Sequence, residues 1–82
     1  MTTDHDQSTT NKITALILEE MQRQGKKATN ISTETGIPKW NLSRYLHGQR
    51  TMDMDTLILI LKSLQCSLQI RNDKTGEITN VE

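Results

Sequence analysis

The first amphipathic pattern in the chain is a stripe of apolar residues with helical spacing. Apolar side chains recur at i, i+3, i+4 and i+8: Ile13, Leu16, Ile17 and Met21. This spacing places them on one face of a helix. We expect Thr10 or Asn11 to cap that helix and Gly25 to end it in a left-handed conformation.

Two shorter helices are predicted over residues 28–48, with a turn at Gly36-Ile37-Pro38. Thr29 or Asn30 can cap the first of them. The second is expected to run from Pro38 to about His47, because proline is tolerated in the first turn of a helix. Its apolar residues fall on one face: Leu42, Tyr45 and Leu46.

A fourth helix is predicted to begin at Asp53 or Asp55 and to contain five consecutive aliphatic residues, Leu57–Leu61. A helix that packs one face on a small core needs only about three apolar positions in two turns. The run therefore exceeds what one chain can bury. We assign the surplus, Ile58 and Leu59, to a dimer interface and the other aliphatic residues to the monomer core.

Beyond Gln65 the apolar period drops to two residues. Leu68 and Ile70 alternate with polar residues, and 72–76 has the composition of a tight turn before a return segment, 78–81. This pattern predicts a C-terminal strand with a potential hairpin. An isolated hairpin is marginal in water. The strand therefore either packs on its own helices or joins a second subunit, with Leu68 and Ile70 in that interface.

The residues before the first helix are mostly polar. Residues 1–11 contain no aliphatic side chain after Met1, so they bury too little apolar surface to offset the entropy lost on ordering. We therefore predict a disordered tail over 1–11, a helical domain over 12–65 and a strand or hairpin for dimerisation over 66–82. The expected fold is mainly α, a bundle of four to five short helices.

Composition narrows the class of protein further. One Cys and two His exclude an intramolecular disulfide and a four-ligand structural zinc site. The first residues lack the basic and apolar regions of a signal peptide. The longest apolar stretch is far shorter than the roughly 20 residues that span a bilayer. We expect a cytoplasmic protein with no membrane contact, no metal and no cofactor.

Residues that could perform catalysis are few. Cys66 adjoins an apolar strand, His5 lies in the predicted tail, and His47 has no acidic neighbour in the sequence. None of them has the setting of an activated nucleophile, and there is no glycine-rich phosphate loop. The sequence does not predict an enzyme.

The spacing of residues 31–48 is more specific than the composition. It reads Ile-Ser-x-x-x-Gly-Ile-x-x-x-x-Leu-x-x-Tyr-Leu-x-Gly, which resembles the helix-turn-helix of the phage repressor and Cro-like (XRE) family of transcriptional regulators. The resemblance extends over about residues 12–65. Ser32 and Thr35 depart from it, since the family usually has alanine and an apolar residue at these positions.

The resemblance implies a lambda-repressor-like fold and a homodimeric, sequence-specific DNA-binding regulator, most simply a repressor. The helix Pro38–His47 would enter the major groove of a palindromic operator in double-stranded DNA. Three residues would contact base edges: Lys39, Trp40 and Arg44. Six would contact phosphates: Thr29, Asn30, Ser43, His47, Gln49 and Arg50. Arg44 is the strongest candidate, since a guanidinium pairs with guanine O6 and N7.

Other interpretations of these residues stay open at this stage. Arg44 could be a solvated helix charge, Trp40 could fill the core edge or an interface, and His47 could be a surface residue. A rival function is an antitoxin that binds a toxin protein through the tail or the C-terminal strand and also regulates its own operon. Control of restriction–modification or of plasmid or phage copy number would use the same DNA-binding chemistry.

The formal net charge of zero conceals a basic segment. Residues 1–10 carry two acids, residues 11–51 carry seven basic and three acidic residues, and residues 52–82 carry three basic and five acidic residues. The basic segment coincides with the predicted helix-turn-helix. This distribution predicts phosphate contacts with a marked salt dependence, while the acidic ends lower non-specific affinity.

Overall fold

Within residues 2–81, whose backbone the computed structural model describes, the chain forms four α-helices followed by a two-stranded antiparallel hairpin; side chains are described for residues 11–81. The elements are α1 (Thr2–Gln24), α2 (Ala28–Thr35), α3 (Lys39–Leu46), α4 (Met54–Ser63), β1 (Gln69–Arg71) and β2 (Ile78–Asn80). This architecture confirms the predicted mainly α bundle with a C-terminal hairpin.

The N-terminal helix is longer than the sequence pattern predicts. Because α1 begins at Thr2, neither Thr10 nor Asn11 is its cap, and the backbone is helical through most of the segment expected to be a disordered tail. Helix propagation costs far less than nucleation, and no Gly or Pro precedes Gly25. Once the helical turns that begin at Ile13 have formed, the helix can therefore extend toward the N-terminus. Met1 lies outside the described residues.

One apolar core joins all four helices. Its buried members come from every helix: Ile17, Met21, Ile31, Leu42, Leu46, Leu57, Ile60 and Leu64. The predicted stripe of α1 is corrected at one position, because Leu16 is 58% exposed whereas Thr14 is buried. The core therefore meets a slightly rotated face of α1.

The ends of α3 and α4 agree closely with the sequence. Pro38 is the N-terminal cap residue of α3 and His47 its C-terminal cap residue, so each end shifts by one position. Asp53 caps α4, with its Oδ1 accepting from the Thr56 amide at 2.7 Å. Asp55 falls in the first turn instead.

The hairpin pairs the C-terminal strand within its own chain. Ile70 lies opposite Thr79 and Arg71 opposite Ile78. Leu68 packs against the core, but every residue of both strands is exposed. The hairpin is thus attached to the bundle at its base, while its strands extend away from the core.

Candidate nucleic-acid interface

The turn between α2 and α3 is fixed by backbone geometry and by two hydroxyl groups. Gly36 has φ 81°, a left-handed conformation that favours glycine. Ser32 Oγ donates to the Ile37 carbonyl at 2.6 Å, and Thr35 Oγ1 accepts from the Ile37 amide at 3.2 Å. The two residues that depart from the family pattern therefore satisfy the polar backbone groups of Ile37.

The inward face of α3 holds the helix against the bundle. Leu42 is fully buried, and Tyr45 and Leu46 are nearly so. Residues 39, 40 and 44 are exposed. An apolar face that fixes the helix and a polar face in solvent is the arrangement that lets a helix present side chains to a partner.

Trp40 and Arg44 form a pair on the exposed face. Trp40 is 62% exposed, so it does not fill the core of this chain. The Arg44 guanidinium carbon lies 5.7 Å from the centroid of the Trp40 ring, within the range of a cation–π contact. The ring restricts where the guanidinium can go, and Arg44 is therefore more than a freely solvated charge.

Ser43 and His47 contact each other one helical turn apart. His47 Nδ1 lies 2.8 Å from the Ser43 carbonyl oxygen and 3.2 Å from Ser43 Oγ. A carbonyl oxygen only accepts, whereas the Ser43 hydroxyl can donate, so the tautomer of the ring decides which of the two contacts is the hydrogen bond. When Nδ1 accepts from the hydroxyl, Nε2 carries the proton and can donate to a phosphate.

The N-terminus of α2 differs in detail from the sequence prediction. Its cap residue is Lys27, so the prediction that Thr29 or Asn30 caps the helix is wrong. Asn30 reaches back instead, and its Oδ1 accepts from the Lys27 amide at 2.8 Å. This is the reciprocal bond of a capping box. Both Thr29 and Asn30 remain exposed in the first turn.

The loop after α3 brings Arg50 back onto that helix. Arg50 Nη1 donates to Asn41 Oδ1 at 3.1 Å, and its guanidinium carbon lies 5.7 Å from the Tyr45 ring centroid. Gln49 is exposed, and its backbone N–H donates to the Arg44 carbonyl at 2.9 Å. Sequence reasoning missed Asn41, because its only distinguishing feature is a partner from the following loop.

Two of the three acids of the basic segment pair with cations away from the exposed face of α3. Glu20 pairs with Arg23, and Glu34 Oε1 accepts from Lys26 Nζ at 2.7 Å. Hydrogen bonds from Lys26 and Ser63 lower the pKa of Glu34 below its usual value. Within residues 11–81, neither Lys39 nor Arg44 forms an ion pair with an acidic side chain. The exposed face of α3 therefore carries net positive charge.

The four residues predicted for a dimer interface differ in exposure. Ile58 and Leu68 are half-buried, whereas Leu59 is 44% and Ile70 67% exposed. Leu57, Ile60 and Leu64 are buried, as expected for the core face of α4. A single chain therefore leaves apolar surface exposed on the outer face of α4 and on the hairpin, where the sequence predicted a surplus of apolar residues.

Comparison with known proteins gives one informative match. A helix-turn-helix family model matches residues 17–70, more than half of the chain and a span from α1 into β1. Searches of curated proteins and of solved structures found no match. No helix of the part of the chain described here is long and apolar enough to cross a membrane. The chain belongs to the Cro/C1-type (XRE) helix-turn-helix family of DNA-binding transcriptional regulators.

Proposed function

We propose that the protein is a homodimeric repressor that reads an inverted-repeat operator with the helix Pro38–His47 in the major groove. The observation that carries this proposal is the division of α3 into a buried face and an exposed cationic face. Lys39, Trp40 and Arg44 lie on the exposed side. Family membership supplies the class of ligand, which is double-stranded DNA.

Arg44 is assigned the main role in base recognition. Its guanidinium can donate two hydrogen bonds to guanine O6 and N7, the commonest specific contact in the major groove. The Trp40 ring beneath it reduces the conformational freedom lost on binding. Trp40 itself contacts a thymine methyl group or the sugar backbone, and Lys39 reaches a guanine or a phosphate.

The surrounding polar residues are assigned to the phosphates. They lie at the start of α2, along α3 and in the loop after it: Thr29, Asn30, Ser43, His47, Gln49 and Arg50. Contacts of this kind fix the position of a protein on DNA without reading sequence. Loss of a side chain that only neutralises a phosphate should weaken binding to all sequences alike.

The hairpin supports the dimeric state. The Leu68 carbonyl accepts from the Val81 amide at 2.9 Å and the Asn72 amide donates to the Glu77 carbonyl at 2.8 Å, at the two ends of β2. Hydrogen-bonding direction alternates along an antiparallel strand, so the backbone groups of Gln69 and Arg71 point away from β2. A strand edge of this kind can pair with another chain. We assign Ile58, Leu59, Leu68 and Ile70 to that interface.

Selection of bound sequences from a random duplex pool tests the proposal. A two-fold dimer should enrich an inverted repeat whose half-sites lie about one helical turn, ~34 Å, apart. Enrichment of a single asymmetric half-site would reject the dimeric arrangement, and no enrichment would reject sequence-specific recognition. A reporter with the selected site inside its promoter should then lose expression when the protein is present; increased expression would reject repression.

An antitoxin is the second candidate, and the exposed hairpin favours it. Ile70, Ile78 and Val81 are exposed apolar residues outside the proposed DNA surface, so a toxin protein could bind them while α3 contacts DNA. Co-expression with the product of the adjacent gene distinguishes the two functions. A stable complex that relieves the toxicity of that product would support an antitoxin, whereas an adjacent product that is harmless and does not bind would leave a plain repressor.

A further inference from the structure

Asn41 is a second polar side chain of α3 that the fold holds in one orientation. Arg50 Nη1 donates to its Oδ1 at 3.1 Å. Arg50 is also placed over the ring of Tyr45, 5.7 Å from the centroid, and Tyr45 is buried. Because the core holds the Tyr45 ring in place, the contact with this ring restricts the position of the Arg50 guanidinium. The guanidinium in turn orients the Asn41 side chain.

The hydrogen bond determines which end of the Asn41 amide faces outward. A guanidinium only donates, so the amide oxygen must face Arg50 and the amide nitrogen must face away from it. Asn41 is half-buried in the first turn of α3. Residues near the N-terminus of a recognition helix are those that contact base edges. Asn41 therefore offers N–H donors at the end of α3 that would enter the groove.

We propose that Asn41 is a specificity-determining residue, that Arg50 is its positioning residue, and that the pair reads guanine or thymine and discriminates against adenine. The inference rests on the proposed function, in which α3 lies in the major groove. An asparagine pairs with adenine by accepting from N6 through its oxygen while donating to N7. Because Arg50 binds that oxygen and holds it toward the loop, the groups of the amide that face away from Arg50 are its N–H donors, which match guanine N7 and O6 or thymine O4.

This role of Arg50 is separable from a phosphate contact. A side chain that only neutralises a phosphate changes affinity about equally for all sequences. A side chain that orients Asn41 changes the base preferred at one position of each half-site. The two roles therefore predict different results in a selection experiment, even though both lower total affinity.

The test is selection from a random duplex pool with the full chain and three variants. Asn41→Asp keeps an acceptor for Arg50 but cannot donate to a base, so the preference at one position per half-site should fall about 5- to 150-fold. Arg50→Ala frees the amide oxygen, and that same position should shift toward adenine. Arg50→Lys retains a donor and should keep the base that the unaltered protein prefers.

Gln49→Ala is the matched control, since Gln49 is an exposed neighbour of Arg50 in the same loop. It should weaken binding without changing any preferred base. Thermal unfolding of each variant identifies a loss of fold, and Asn41→Asp, which preserves the bond to Arg50, still tests the inference if Arg50→Ala is unstable.

Two results would overturn the inference. One is an adenine at the position that Asn41→Asp alters, and the other is unchanged base preferences in both Asn41→Asp and Arg50→Ala, with or without a uniform loss of affinity. In each case the enriched motif of the unaltered protein would leave the proposed function intact. If the unaltered protein enriches no motif, the proposed function itself fails.

Discussion

The helix-turn-helix buries its apolar side chains within the chain, whereas the C-terminal hairpin leaves its apolar side chains exposed to solvent. Ile31 of α2 and Leu42 of α3 are fully buried, and in the turn between the helices the amides of Gly36 and Ile37 and the Ile37 carbonyl are bonded within the chain. In the hairpin, Ile70 is 67% and Ile78 57% exposed, and one backbone edge of β1 faces away from β2.

This difference indicates that one chain is sufficient to position α3, whereas a second chain is needed to cover the apolar surface of the hairpin. A single chain fixes α3 and its cationic face, because the apolar contacts that hold the helix are all internal. The hairpin leaves apolar side chains and strand edges in solvent, a combination that native proteins usually cover. We therefore expect substitutions in the first region to alter folding and substitutions in the second to alter assembly.

The largest effect is expected from Leu42→Ala in the buried face of α3. Removal of a buried leucine side chain should lower the free energy of unfolding by about 2–5 kcal/mol. Leu16→Ala is the matched control, since Leu16 is exposed on α1, and its cost should be within about 0.5 kcal/mol. Urea denaturation measures both. Equal costs would mean that the α1 face is covered by another surface.

Ile70→Asp should act on assembly instead of folding. A charge in an apolar interface should raise the dimer dissociation constant at least about tenfold, or about 1.4 kcal/mol, with little change in the unfolding of the monomer. Sedimentation velocity over a concentration series measures this. Asn80→Asp provides the control on the opposite face of the hairpin. If Asn80→Asp dissociates the dimer and Ile70→Asp does not, the interface lies on that other face.

Thr35→Val should test the hydroxyl network of the turn. The substitution removes the acceptor of the Ile37 amide, and an unsatisfied part-buried amide should cost about 1–3 kcal/mol. Thr33→Val is its control, because the Thr33 hydroxyl bonds only to the Thr29 carbonyl at the exposed face of α2. Thermal unfolding compares the two. A cost no greater for Thr35 than for Thr33 would show that the turn does not depend on this bond.

The smallest effect is expected at the cap of α4. The hydrogen bond from Thr56 lowers the pKa of Asp53 below its usual 3.8. A lowered carboxyl pKa stabilises the folded state above the unfolded value, and this contribution is lost as the pH falls through the folded value. Asp53→Asn, whose amide oxygen accepts at every pH, should therefore lose less stability on acidification.

Urea unfolding midpoints at pH 7 and pH 3 measure that change. Asp55→Asn is the control in the same first turn of α4, and it should retain most of the pH dependence of the unaltered protein. An Asp53→Asn variant that loses as much stability as the unaltered protein between these values would contradict the assignment.

The sequence predicted the elements that depend on local chemistry. Glycine positions, Pro38 and the apolar spacing located α2, α3 and the turn to within one residue at most ends. The cap of α2 was misassigned because the cap residue is Lys27, while Asn30 lies in the first turn and its side chain accepts from the Lys27 amide. The start of α1 was placed too late because helix extension depends on a nucleus farther along the chain.

The sequence pattern could not predict side-chain contacts between separate segments of the chain. The bond between Arg50 and Asn41 joins a loop to the helix before it, and no periodicity encodes it. The hydroxyl groups of Ser32 and Thr35 could be read from the sequence only as departures from the family, since their partner, Ile37, is set by the turn. The three base-contact residues, the six phosphate-contact residues and the dimer interface all remain predictions that a complex with DNA would test.

Binding of Arg44→Ala to the selected operator tests most directly whether the exposed face of α3 reads DNA. Fluorescence anisotropy against the operator and against a scrambled duplex, at one salt concentration, measures affinity and discrimination together. The account predicts a loss of about 1–3 kcal/mol on the operator, a much smaller loss on the scrambled duplex and unchanged thermal unfolding. Unchanged affinity for the operator would contradict the assignment of α3 as the reading helix.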